Sequence, residues 1–273
     1  MWKRNVFLFL VIPLCLCTSI GKALEYAPWF GRSFEIEGRL SSILQAYPSV
    51  SAKGSSSYSS TDFFLKGSLA VQLLDLVNAE IEGGLLHTRR HPLGVDHLTF
   101  LGRYLWLDDT VGDFASITSG LSITQVFHPG LNNISVFHHG GIEAEAHVAY
   151  GDEIVCEEFW TSRAWGVVGL GIGDHGAPWI RANLEWDNNC WDRHQWSFFI
   201  RSLWGLGSRD LRVHAFHGYG SVKHQSIDCG ASYEYMLLST SLVKLEGAFR
   251  IYARNAPRLT TQLLATFIYP FGI

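Results

Sequence analysis

After its first twenty-odd residues the chain has no long apolar run. No later stretch of about eighteen apolar residues occurs, which excludes helical transmembrane spans. There is no basic tract, which argues against nucleic acid as a partner. Charged residues make up only 17% of the chain and hydrophobic ones 47%, a balance too apolar for a disordered protein. Cysteine is scarce. No C-x-x-C pair exists, so a zinc site built on thiolates is not indicated. Cys156, Cys190 and Cys229 are the only cysteines beyond the N-terminal run, and an odd count allows at most one internal disulfide in an oxidising compartment.

Catalytic and cofactor motifs are missing too. No His-x-Ser-Asn-Gly run is present, and Asp174–His175 and Asp192–Arg193–His194 each lack an evident partner serine. Gly171-x-Gly173-x-x-Gly176 fits the dinucleotide fingerprint by spacing, but Pro178, Trp179 and a period-two pattern follow it. No helix N-terminus is then available for a pyrophosphate. The glycines at 166, 169, 171 and 173 are better read as making room for neighbouring aromatics. His87 and His91, with His97 nearby, enclose Arg89 and Arg90, an electrostatically poor cation site. His138 and His139 read as strand neighbours facing opposite ways. The sequence thus predicts no cofactor, no metal and no catalytic centre, and leans away from an enzyme.

What is present begins at the N-terminus. Lys3 and Arg4 precede an apolar run from Asn5 to Cys17, and Gly21 and Ala23 stand before a cleavage point at Leu24. This is the signal-peptide pattern. The expected organisation is a signal peptide over 1–23 and one domain over 24–273. Loss of Lys3, Arg4 and Lys22 leaves 18 of 21 basic residues against 25 acidic ones, a mature charge of about −7.

From about Ser33 onward the chain alternates apolar and polar residues, the period of a strand with one apolar face. Thirteen runs are readable, among them 134–150, 154–172 and 211–219, and several are 9–13 residues long, where globular strands are usually about 5–6. Ile142, Ala144, Ala146, Val148 and Tyr150 oppose Glu143, Glu145 and His147. Val243, Leu245, Gly247, Phe249 and Ile251 oppose Lys244, Glu246 and Arg250. Tyr and Trp gather near run ends, among them Trp106, Tyr150, Trp186, Trp196 and Tyr269. Connections such as Asp75–Asn78 are short, whereas Tyr47–Ser60 and His87–Asp96 are long. Long runs, aromatic ends and turn asymmetry together predict an all-β antiparallel transmembrane barrel rather than a soluble sandwich. Its polar face would line the lumen through Arg39, Lys66, Glu80, Glu82, Glu143, Glu145, Arg181, Glu185, Lys244, Glu246 and Arg250.

An odd run count conflicts with the even strand number of single-chain bacterial barrels. The frames counted from each end collide across 154–172. That stretch is either a non-spanning segment, giving twelve strands, or two short arms, giving fourteen; twelve is favoured. The frame counted from the C-terminus places the aromatic-polar segment 186–196 externally.

The final strand runs Leu263, Ala265, Phe267, Tyr269, Phe271 on one face, with Pro270 and a two-residue extension as departures. With the export signal, this resembles the closing strand of bacterial outer-membrane β-barrel proteins. The resemblance implies residence in the outer membrane of a Gram-negative bacterium, delivery by the barrel-insertion machinery, and contact with membrane lipid and lipopolysaccharide. The function expected is a porin-like diffusion channel for small polar solutes or ions. An outer-membrane hydrolase, a closed structural or adhesive barrel, and a secreted soluble all-β protein are the alternatives.

Overall fold

The structure, a computed structural model, describes residues 26–52, 57–156, 159–190, 193–237 and 241–272. The expected signal peptide lies outside them. Twelve antiparallel strands close into a barrel: β1 (Glu35–Tyr47), β3 (Ser60–Leu74), β4 (Val77–His87), β5 (Gly94–Leu107), β6 (Ser116–Val126), β7 (Ile142–Cys156), β8 (Phe159–Gly173), β9 (Trp179–Cys190), β10 (His194–Gly205), β11 (Gln225–Met236), β12 (Leu242–Arg254) and β14 (Thr261–Gly272). Each pairs with its neighbours in sequence, and β1 closes the ring on β14, with Glu35 opposite Gly272. Closure leaves no sheet edge, which a membrane would not tolerate. Two short strands, β2 (Ser49–Val50) and β13 (Pro257–Arg258), pair outside the ring. No helix among the described residues is long and apolar enough to cross a membrane.

The period-two alternation decides what faces outward. Leu69, Ile81, Phe100, Leu121, Val148, Leu170, Leu184, Phe198, Leu245 and Phe267 are all exposed, one after another around the ring. A belt of this kind suits a lipid environment. Aromatics mark the end of the barrel where the chain enters β1 and leaves β14, here called the terminal end. Tyr104, Trp106, Tyr150, Trp186, Trp196 and Tyr269 are exposed there. The indoles of Trp106 and Trp186 donate to Ser119 Oγ and Ser162 Oγ, each at 2.8 Å, so their polar atoms are satisfied on an otherwise apolar wall.

At the terminal end the described connections 75–76 and 108–115 are short, and β7 and β8, β9 and β10, and β11 and β12 follow one another within a few residues of sequence. The opposite, loop end carries 48–59, 88–93, 127–141, 174–178, 206–224 and 255–260. The longest two, 127–141 and 206–224, fold inward. Ile134, Leu211, Val213, Phe216, Tyr219 and Val222 pack with Tyr47 and Val50 into a buried apolar cluster. Tyr219 donates to the Ile134 carbonyl at 2.7 Å, and Asn255 reaches the Lys223 carbonyl at 2.9 Å. Loops thus build a core inside the barrel mouth.

The total of twelve strands matches the favoured count, but the surplus run is elsewhere. Residues 159–173 form one full strand, paired on both sides. Residues 211–219, read as a strand, belong to the inward loop. Their alternation reflects burial of Leu211 and Val213 in the plug, not a membrane-facing side. Residues 134–141 are also loop, and β7 starts only at Ile142. With both shifts the two frames agree. Segment 186–196 then lies at the terminal end, not the loop end, with Trp191 and Asp192 outside the described residues.

Candidate functional site

Alternation that turns leucines outward turns charges inward, where each must find a partner. Glu80, Glu82, Glu143, Glu145, Glu246 and Arg250 are buried, and Arg39, Lys66, Arg181, Glu185 and Lys244 are half-buried. They form pairs along a strand, between neighbouring strands and across the lumen over one or two intervening strands. Arg39 meets Glu37 and, at 3.4 Å, Glu80; Lys66 meets Glu82 at 3.2 Å; Arg181 meets Glu145. Lys244 meets Glu234 at 2.6 Å and Glu185 at 3.9 Å. Arg250 grips both oxygens of Asp228, at 2.6 and 2.9 Å, across a register shift between β11 and β12. Arg201 does the same to Glu246, at 2.5 and 2.9 Å. Forked pairs of this kind fix the side chains as well as balancing charge. Arg201 and Asp228 were not singled out in the sequence, although Arg201 is in phase with the inward residues of its run.

The segment before β1 runs inside the terminal end. Tyr26 is buried and accepts from Arg181 at 3.0 Å, with the guanidinium 4.5 Å over its ring. Burial, only partly offset by Arg181, raises its phenol to about 12, so Tyr26 stays neutral. Arg103 donates to the Ala27 carbonyl at 2.9 Å and lies over Phe30. Arg163 covers Trp29, whose indole donates to Asp109 at 2.8 Å. Nothing in the sequence flagged this segment, because its partners are spread from residue 103 to residue 181.

Beneath the loop plug, histidines and acids form a connected cluster. His97 is held by Asp96 at 2.8 Å through Nδ1 and by Glu82 at 2.7 Å through Nε2. His138 Nε2 faces the other oxygen of Asp96 at 3.1 Å, and its Nδ1 lies 3.6 Å from Glu143. His139 takes Glu143 through its backbone N–H, stacks on Trp179 at 3.9 Å, and contacts His224 at 2.9 Å. Adjacent residues of a regular strand could not do this. His138 and His139 sit in the inward loop, so the opposite-face expectation fails. Asp96 and His97 both point inward because the β4–β5 register shifts between Gly83 and Leu85, leaving Gly84 opposite two residues. A Cβ on Gly84 would lie 2.8 Å from the His97 ring, so the site requires glycine there. Burial outweighs all else at His224 and lowers its pKa to about 2, aided by His139 and Arg250. At His138 burial opposes charging, but the Asp96 and Glu143 carboxylates overcome it and raise the pKa to about 10.

Two cavities of about 300 Å³ each remain. One adjoins the His–acid cluster and is lined by Lys66, Glu143, Glu145, Arg181, Trp179 and Tyr26 among others. The other opens toward the terminal end and is lined by Ala27, Arg39, Arg103, Glu185 and Lys244. Tyr26 lines the first and its neighbour Ala27 the second. The glycine-rich stretch of β8 serves packing: a Cβ on Gly171 would meet Trp179 at 2.0 Å and one on Gly169 would meet Glu145 at 2.6 Å. Asp174 accepts from the Gly141 N–H at 2.9 Å and joins two loops. Cys190 and Cys229 are free thiols.

No family model matches the sequence, and no curated protein sequence is similar to it. Solved structures are similar in fold. An outer-membrane channel from Pseudomonas putida F1 superposes with a TM-score of 0.67 at 12% identity, over 92% of this chain and 100% of that one. The NanC porin gives 0.55 at 6% identity, over 85% and 98%. The KdgM porin, solved in complex with disordered oligogalacturonate, gives 0.52 at 5% identity, over 85% and 99%. The fold of this chain is therefore that of the bacterial outer-membrane β-barrels that include porins and channels.

Proposed function

We propose that this protein is a porin-like outer-membrane channel with a partly filled lumen, passing small polar solutes or ions. The observation that carries the reading is the pair of charged cavities inside a closed barrel, one lined by Tyr26 and the other by Ala27 next to it. A volume of about 300 Å³ holds about ten waters at the density of the liquid, which favours small solutes over folded or bulky ones. Arg39, Lys66, Glu80, Glu82, Glu143, Glu145, Arg181, Glu185, Lys244, Glu246 and Arg250 would line the path. Rings of such charges set ion preference. The acidic excess of the chain favours cations, so an anionic sugar polymer like the one bound by the KdgM porin is a poor fit. Residues 1–23 would direct export. The outward face of Leu263, Ala265, Phe267, Tyr269 and Phe271 would serve recognition by the insertion machinery and then contact lipid or lipopolysaccharide.

The test uses the chain from Leu24 onward, refolded in detergent, checked for a heat-modifiable band, and placed in a planar bilayer. Discrete conductance steps with a cation-selective reversal potential are expected. Glu143→Gln with Glu145→Gln should move that potential toward zero. A folded barrel that never conducts would refute the channel, and an unmoved reversal potential would refute the role of these two acids.

A further inference from the structure

We propose that Asp96, His97 and His138 form a binding site for a divalent transition-metal ion of the zinc, cobalt or nickel class, at the floor of the loop plug. One nitrogen of each ring and an Asp96 oxygen lie within 4.8 Å of one another. A four-coordinate ion with bonds of about 2.0–2.1 Å separates its ligands by about 3.4 Å. The Asp96–His97 and Asp96–His138 distances of 2.8 and 3.1 Å are already close to that, so small side-chain movements suffice. Two imidazoles and a carboxylate suit borderline transition ions and not calcium or magnesium, which take oxygen ligands.

Three features beyond the donor set point to a built site. The ring nitrogens turned away from Asp96 are each met by a second carboxylate: Glu82 for His97 at 2.7 Å and Glu143 for His138 at 3.6 Å. Such carboxylate–histidine pairs orient metal-binding rings and raise their basicity. The bulge opposite Gly84 puts neighbouring residues on one face, an arrangement a regular ladder forbids. Charge is also suited. Glu82, Asp96 and Glu143 carry three negative charges against Lys66, and with both rings neutral as ligands a divalent ion balances the remainder, taking the place of the ring proton it displaces. All three ligands line the inner cavity, so a water or small anion could complete the coordination shell.

Binding is read in detergent and does not depend on conduction. The refolded chain, free of any histidine tag, is titrated with cobalt and then zinc. One equivalent of cobalt should bind with visible absorption bands, zinc should displace it, and excess calcium or magnesium should not. His138→Asn should abolish binding. Glu143→Gln should weaken it by about tenfold to a hundredfold. His91→Asn should leave it unchanged, because His91 and His128 form a separate ring contact in the loops. Absence of saturable binding would overturn the site. So would binding that survives His138→Asn in a folded barrel, or that is lost with His91→Asn. If His138→Asn does not fold, the wild-type stoichiometry and the Glu143→Gln shift decide the matter.

Discussion

The two ends of the barrel interior are closed by different physics. At the loop end, eight buried apolar side chains from β1, β2 and two inward loops form a core with Tyr219 at its centre. At the terminal end, Tyr26 packs against Ala149 and Val167, and arginines lie over the rings of Tyr26, Trp29 and Phe30 with a few hydrogen bonds. Full burial of an apolar side chain is worth about 1.5–3 kcal/mol; the loop plug buries eight, whereas in the N-terminal segment Tyr26 is buried and Trp29 and Phe30 are only half-buried under cation–π contacts worth about 0.5–1 kcal/mol at exposed sites. The loop plug is therefore part of the fold, and the N-terminal segment is the closure that yields first.

The largest effect expected from breaking this contrast is at Tyr219. Its ring is fully buried, lies 4.8 Å from Phe137, Phe216 and His224, and its hydroxyl ties the two loops together. Tyr219→Ala should cost about 3–5 kcal/mol, as other large-to-small aromatic truncations do. The urea midpoint of unfolding should fall accordingly, and the current noise in a bilayer should rise as the plug loosens. An unchanged midpoint would mean the loops are a cover and not a core.

A smaller stability change and a larger functional one are expected at the other end. The combined variant Tyr26→Ala, Trp29→Ala, Phe30→Ala removes the ring contacts while leaving the barrel strands alone. Conductance should rise several-fold, because the two cavities would join. The midpoint should shift less than in Tyr219→Ala. The reverse ranking of midpoints would overturn the assignment of strong and weak ends.

The same contrast explains what could be read from the sequence. The wall was legible because each strand has one lipid-facing side, so period two runs unbroken through residues such as 142–150 and 243–251. The strand total was legible for the same reason. The plug was not, because Leu211 and Val213 alternate just as a strand does while being buried by loop packing. Alternation put Lys66, Glu82, Glu145 and Arg181 on the polar face of their runs, but the pairing of Lys66 with Glu82 and of Arg181 with Glu145 has no signal within a run. The histidine cluster has none either. It depends on a one-residue register shift opposite Gly84 and on a loop that carries His138 under the plug, and neither has a local pattern. Contacts such as Arg181 with Tyr26 join residues 155 apart and are invisible to any window along the chain.

A pH-dependent effect should appear on acidification, again at the loop end. His224 has no solvent exposure, packs on Phe137 and Tyr219, and shares a 2.9 Å contact with His139. One ring must donate and the other accept, and burial lowers the pKa of both, so both are neutral at pH 7. In the unfolded chain His224 takes up a proton near pH 6.5, but burial holds the folded pKa near 2. Between these values the unfolded state binds more protons than the folded one, so stability falls as pH drops below about 6.5 and is unaffected above it. The urea midpoint of the wild type should therefore decline from pH 7 to pH 4. His224→Gln keeps a hydrogen-bonding group but cannot titrate, so its midpoint should decline less steeply over that range. Equal slopes would show that acid acts elsewhere in the barrel, and would remove the histidine pair from the account of how the loop end is held.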